Sequence, residues 1–197
     1  RSNAAVYCKP RYSSAIVKLP ADFETFEASM SSNRRSGIRR KWRIATREHD
    51  DVRVEFVTPE PGEIPEQLAR IMALEGSGWK QRSGTALSAD YRMRCFITQL
   101  ANAFVHEDGL VFAFLKFCGH DVACRFILRQ QSGWFEIKIG FDEEFSHFVP
   151  GILLTHETLR EACRTGMTKV DFLGVYERWQ DNWPHEVTED YRFATYP

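Results

Sequence analysis

An apolar run of the roughly 18 to 20 residues needed to cross a bilayer is missing from all 197 residues. Also missing at the N-terminus is the basic, then apolar, then small-residue pattern of a secretory leader. A soluble protein that is not exported is therefore expected. Cysteine is sparse: Cys8, Cys95, Cys118, Cys124 and Cys163 are odd in number, scattered and never spaced C-x-x-C, which excludes a disulfide framework and a zinc ribbon. A reducing cytoplasm fits. The densest group of metal-ligand types is Cys118, His120, Asp121 and Cys124. It holds Gly119 between two β-type runs and reads as a hairpin turn with buried thiols. His156-Glu157 is followed by Arg160 where a zinc-protease helix would need a second histidine. No metal is expected.

Excess charge is missing as well. The formal net charge is -1, which argues against a general nucleic-acid binder. The exception is local: seven basic residues and no acid lie between Arg34 and Arg47. With 43% hydrophobic and 27% charged residues, the composition suits one globular domain of mixed structure.

The apolar spacing then divides the chain. Ala15 to Leu19 is a short β-type run ending at Pro20, and Asp22 can cap a helix that carries Phe23 and Phe26. A second helix, capped by Ser31, Ser32 or Asn33, repeats Ile38, Trp42 and Ala45 on one side and Arg35, Arg39, Arg43 and Arg47 on the other. Val52 to Val57 alternates as a strand. A helix follows from near Pro65 with Leu68, Ile71, Met72 and Leu74 inward, and another over about Ala89 to Phe104 with Phe96, Ile97, Leu100 and Phe104 inward. Leu110 to Phe117, Val122 to Gln130 and Trp134 to Gly140 form an antiparallel meander. Pro150-Gly151 opens a helix that Gly166 closes. Thr168 to Leu173 and Val187 to Tyr196 are the last strands. The helix between the third meander strand and Thr168 is a crossover long enough to make those two strands parallel neighbours.

Within this order stand Asn33-Arg-Arg-Ser-Gly-Ile-Arg-Arg-Lys-Trp42, Glu75-Gly-Ser-Gly-Trp-Lys80, Gly84-Thr-Ala-Leu87, Trp134-Phe-Glu-Ile-Lys-Ile-Gly-Phe-Asp142, Val149-Pro-Gly-Ile-Leu-Leu154 and Asp171-Phe-Leu-Gly174. Together they resemble the GNAT acetyltransferase-like superfamily, in particular its cellulose-biosynthesis acetyltransferase-like branch, which is related to the Fem-type peptidoglycan aminoacyltransferases. The resemblance runs from about Ile16 to the C-terminus. It implies an α/β, GNAT-like fold: a mixed, mainly antiparallel sheet flanked by helices, with an N-terminal helical extension. A tail of residues 1–14 would precede a single domain over 15–197. Members of the branch often carry a second, N-terminal GNAT-like half, and this chain is too short to hold both. That leaves room for a missing half or a homo-oligomer.

The activity so implied is acyl transfer from a coenzyme A thioester, acetyl or longer, to an amine or hydroxyl acceptor. The family context suggests a cell-surface polysaccharide or its precursor as acceptor. The Fem kinship adds an aminoacyl-tRNA donor as a rival, with the Arg34 to Arg47 line as a phosphate-binding surface. The plainer reading of that line is a solvated helix face, and nucleic acid is not expected. A third reading is a binding domain that keeps the fold without catalysis.

Acyl transfer needs a held thioester, a neutral nucleophile and donors for the developing oxyanion. The N–H groups of Gly151, Ile152 and Leu153 open a helix and offer an anion site, with His147 in the loop before it. That loop has one glycine and a histidine where the superfamily pattern has spaced glycines. Strict alternation puts Trp134, Glu136, Lys138 and Gly140 on one strand face, where Glu136 and Lys138 form either a cross-strand ion pair or a site. Asp171, on the neighbouring strand, either converges with them or fixes the Gly174 turn. Glu136, Lys138 and Asp171 are the catalytic candidates, with a carboxylate receiving the acceptor's proton. Tyr176, Arg178 and Trp179 line an acceptor pocket or pack over the sheet edge. Glu75, Trp79 and Lys80 form a pocket wall or a helix end.

Overall fold

A computed structural model describes residues 5–76 and 90–196. A seven-stranded sheet has the order β2-β3-β4-β5-β6-β1-β7. The strands are β1 (Ala5–Lys18), β2 (Val52–Val57), β3 (Leu110–Phe117), β4 (His120–Gln130), β5 (Gly133–Phe141), β6 (Lys169–Asp171) and β7 (Glu186–Tyr196). Every pairing is antiparallel except β5 with β6, which is parallel. The helices are α1 (Phe23–Ser29), α2 (Ser32–Glu48), α3 (Ile64–Gly76), α4 (Tyr91–Phe104) and α5 (Pro150–Arg164), and α5 is the crossover that makes β5 and β6 parallel. This is the mixed, mainly antiparallel architecture expected. The segment 5–14 is not a tail, because β1 pairs with β7 from Ala5 to Ile16.

Side-chain alternation explains why helices cover both faces. In β3, Val111, Ala113, Leu115 and Phe117 join Phe26, Ile38, Ala45, Leu153 and Leu159 from α1, α2 and α5 in one core. Leu110, Phe112 and Phe114 join Ile64, Leu68, Ile71 and Leu74 of α3 and Ile97 and Ala101 of α4 in a second core. A strand buried on both faces reads as a continuous apolar run, and Leu110 to Leu115 is one. Asp22, Ser31 and Asp90 accept hydrogen bonds from the N–H groups of Thr25, Arg34 and Met93, which fixes the starts of α1, α2 and α4. Phe96 is 54% exposed, so α4 does not turn it inward as its spacing suggested.

Two local departures shape the centre of the sheet. β5 and β6 pair only from Gly133–Phe135 to Lys169–Asp171, while β5 runs on to Phe141. After Asp171 the chain turns away through Leu173 and Gly174, at φ 48 and 66. The sheet therefore opens between β5 and the segment after β6. In addition, Phe126 lies opposite Lys138 and Ile127 opposite Glu136, so Ile137 is an extra residue in a β-bulge.

Candidate active site

A cavity of about 550 Å³ fills the opening between β5 and β6. Its walls are β5 from Glu136 to Phe141, the start of α5 from Val149 to Ile152, the turn from Phe172 to Val175, and Trp179 with Gln180. Leu74 and Glu75 at the end of α3 close the other side.

On the α5 side lies an ion pair that alternation alone does not reveal. Arg125, in an otherwise apolar stretch of β4, is 2% exposed and donates to the Oε2 of Glu136, itself 3% exposed. Its second terminal nitrogen donates to the Thr155 hydroxyl and, at 3.2 Å, to the Gly151 carbonyl. Thr155 in turn donates to the Gly151 carbonyl at 2.7 Å. Burial pushes the Glu136 carboxyl up to about 7, against the pull of Arg125 and with a smaller push from Asp171. Burial also lowers the guanidinium of Arg125. Oε1 of Glu136 and Nε of Arg125 are buried with no hydrogen-bond partner among the described residues. An unmade bond at a buried polar atom costs about 1–3 kcal/mol, which marks a strained or ligand-awaiting site.

The bulge separates residues that regular alternation would unite. Glu136 faces Arg125 and α5, whereas Lys138 lies on the opposite face, where its Nζ is 3.4 Å from Oε1 of Glu75. Both line the cavity, because the opening exposes the edge of β5 to it. Asp171 acts on Glu136 through its charge but does not itself line the cavity. Its Oδ1 accepts from the Leu173 N–H at 2.9 Å and fixes the turn, and its carboxyl is raised by burial with that N–H opposing. The cavity wall begins one residue later, at Phe172.

The start of α5 is also altered from expectation. The N–H groups of Ile152 and Leu153 both donate to the Val149 carbonyl, at 2.9 and 3.2 Å. Leu153 is fully buried in the core. Only Gly151 and Ile152 of the proposed trio line the cavity, and the Gly151 N–H has no acceptor among the described residues. His147 is exposed and away from the cavity; its ring lies 3.8 Å from that of Phe148 and its carbonyl accepts from Lys41. Val149, at φ 54, makes the kink that sends the chain from that loop into the helix.

Of the acceptor-pocket candidates, Trp179 lines the cavity, its indole N–H donating to Glu177 at 2.9 Å and its ring 5.2 Å from that of Phe172. Tyr176 instead donates to Asp181, and Arg178 is exposed. Glu75 lines the cavity, while Trp79 and Lys80 lie outside the described residues. Missed by sequence reasoning were Arg125 and Thr155. The signal for Arg125 was available: a lone charge inside Val122 to Leu128 must have a buried partner. Among the described residues no group of three or more potential metal ligands occurs.

The sequence profile of the acetyltransferase (GNAT) domain matches residues 32–181. Among solved structures the chain is similar to FemX, with TM-score 0.65 and 13% identity over 92% of this chain and 60% of that one. It is also similar to L-PGS from Bacillus licheniformis, with TM-score 0.59 and 12% identity over 97% of this chain and 61% of that one. A conserved protein of unknown function from Bacteroides thetaiotaomicron gives TM-score 0.56 and 12% identity over 86% of this chain and 52% of that one. At these identities the likeness is one of fold, and the chain spans about three fifths or less of their length. No curated protein matches the chain.

Proposed function

The chain belongs to the acetyltransferase (GNAT) domain family, a family of transferases, and from that premise we propose that it moves an acyl group from a coenzyme A thioester to an amine or hydroxyl acceptor in the cavity between β5 and β6. The observation that carries this reading is Glu136: a buried carboxyl in the cavity wall, raised to about 7, with one oxygen unpartnered. A general base works best when its pKa lies near the working pH. Glu136 fits the task of taking the proton an amine or hydroxyl loses as it attacks the thioester carbonyl.

The donor has a suitable slot. Among the described residues no strand pairs with β5 on its β6 side beyond Phe135, and an amide-bearing arm such as that of coenzyme A would run along that side. Gly151 and Ile152, at the positive end of α5, lie where phosphate groups would sit. Trp179 and the Glu75–Lys138 pair would bound the acceptor. A polysaccharide precursor as acceptor and a cytoplasmic setting are the family-based parts of the proposal.

Calorimetric titration with acetyl-CoA and longer acyl-CoAs tests the donor. Saturable binding is expected in both wild type and Glu136→Gln, with turnover lost in the variant alone. An absence of binding by every acyl-CoA tried would overturn the reading. A second reading, aminoacyl transfer from tRNA, is favoured by the exposed Arg34, Arg40 and Arg43 of α2. It predicts tRNA binding that weakens steeply with salt and is lost on charge reversal of those arginines.

A further inference from the structure

Arg125 reaches three groups that would otherwise be independent: a carboxylate on β5, a hydroxyl one turn into α5, and a carbonyl in the first turn of α5. A planar guanidinium presents its donors in a fixed fork, so holding one partner fixes the direction of the others. Only Oε2 of Glu136 is engaged, which leaves Oε1 as the free acceptor of that carboxylate. The Gly151 carbonyl receives both Arg125 and Thr155, and this fixes the plane of the peptide that joins Gly151 to Ile152. Both residues line the cavity.

We infer that Arg125 is a positioning residue that couples the proton acceptor Glu136 to the donor-binding turn at Gly151, setting the orientation of both. This rests on the acyl-transfer reading for the roles of the two ends, but the coupling itself is a property of the folded chain. A buried ion pair with unmade hydrogen bonds is a poor stabiliser, because desolvation of both ions offsets their attraction. A well-packed apolar pair would serve the fold as well. The pair is therefore better explained by what it orients.

The charged surroundings of Glu136 make the effect directional. β4 contributes Arg125, and β6 contributes Asp171, which pushes the Glu136 carboxyl up. α5 contributes the Thr155 hydroxyl, while its His156 points to Glu27 of α1, 3.5 Å away. The segment after β6 contributes Glu177 at the cavity wall, and Lys138 and Glu75 lie on the other face of β5. Arg125 is the cation that opposes burial at Glu136, so its removal leaves burial and Asp171 unopposed and moves the carboxyl further up.

The test is a carbon-13 carboxyl titration of the whole chain by NMR, with Glu136→Gln identifying the Glu136 signal. In Arg125→Met the Glu136 midpoint should rise by about one pH unit or more, and in Arg125→Lys by less, since an ammonium keeps the charge without the fork. Amide signals of Gly151 and Ile152 should move in both variants. Thr155→Val removes the hydroxyl and no charge, so it should move the Ile152 amide while leaving the Glu136 midpoint in place. An unmoved Glu136 midpoint in the arginine variants overturns the inference. So does an unmoved Ile152 amide across all three. If Arg125→Met does not fold, Arg125→Lys and Thr155→Val give the same two readings. No substrate is needed, so failure of acyl-CoA binding would overturn the proposed function and leave this inference standing. Where turnover can be measured, the acidic limb of the pH–rate profile should shift upward with the carboxyl, which a loss of packing alone does not produce.

Discussion

Arg125 and Arg70 each serve carboxylates on opposite faces of the same sheet, and their environments differ in kind. Arg70, on α3, donates to both oxygens of Asp121 at 2.7 and 2.9 Å, to Glu55 and Gln67 at 2.8 Å each, and lies 3.5 Å from the ring centroid of Phe114. Burial opposes ionisation of Asp121, yet Arg70 and then Lys116 hold its carboxyl below the usual range. The Arg70 hydrogen bond does the same for Glu55, and Arg70 itself is raised. At Arg125 the outcome is reversed: burial dominates, Glu136 is raised and Arg125 lowered. A network that distributes an arginine over several carboxylate oxygens keeps its ions charged and stabilises the fold. A single enclosed pair beside a cavity leaves one carboxyl poised near neutrality, which is a chemical resource.

The largest expected effect of this difference is on rate. Glu136→Gln should lower the proposed acyl transfer by about 10²-fold or more, since it removes the proposed proton acceptor while keeping shape and burial. Arg70→Met should leave the rate per folded molecule unchanged. Equal loss of turnover in both variants would break the distinction between the two faces. The pH dependence of stability sharpens it. The Glu136 carboxyl is raised from 4.5 to about 7, so between these values the folded chain holds a proton that the unfolded chain has lost. Stability therefore falls as pH rises through that window. Denaturant melts of wild type and Glu136→Gln should converge near pH 4 and diverge in favour of the variant toward pH 7.5, in approximate terms set by those two values.

The next effect is on stability. Arg70→Met leaves Asp121 and Glu55 with weakened partners and should cost about 2 kcal/mol at neutral pH, read from the denaturant midpoint. Asp121 and Glu55 have lowered values, so their contribution is present above the unfolded carboxylate range and is lost as pH falls through the folded values. The gap between Arg70→Met and wild type should accordingly shrink in acid. A gap that stays constant down to pH 3 would mean that Arg70 acts through its packing on Phe114.

Much of the fold was legible in the sequence because the signals were local. Asp22, Ser31 and Asp90 cap helices with their own side chains, and the apolar runs of β3 and β4 announce strands covered on both faces. The parallel β5–β6 pair followed from the length of the crossover. The site was less legible because it depends on two irregularities. Nothing at Ile137, which is neither glycine nor proline, signals a bulge, so strict alternation put Lys138 beside Glu136 when it lies on the other face. Nor does the sequence say where β6 ends, and Asp171 lies one residue short of the cavity because the turn begins immediately after it. The segment 5–14 carries no local strand signal, because its partner, β7, lies far away in sequence.

Two glycines line the cavity on its two sides, and the smallest expected effect on stability is at the second of them. A Cβ on Gly140 would lie 3.2 Å from the Cys124 sulfur and 3.2 and 3.3 Å from the Glu75 backbone N and Cα. The close approach of α3 to β5 depends on that missing methyl. Gly140→Ala should cost about 1–3 kcal/mol, because α3 backbone must shift and carry Glu75 away from Lys138. A Cβ on Gly151 meets nothing nearer than Phe141 Cδ1 at 3.9 Å, an ordinary contact. Position 151 lies in the first turn of α5 and has space for a methyl, so Gly151→Ala should leave stability within about 0.5 kcal/mol of wild type or slightly raise it. Its consequence lies in the cavity: the added methyl and any bulkier group stand between the Gly151 N–H and an approaching phosphate. Acyl-CoA affinity should fall in Gly151→Ala and fall further in Gly151→Leu, while stability changes little in the first. Calorimetry on these two variants separates a glycine kept for ligand approach from one kept for packing. Unchanged affinity in Gly151→Leu would move the phosphate site away from the start of α5.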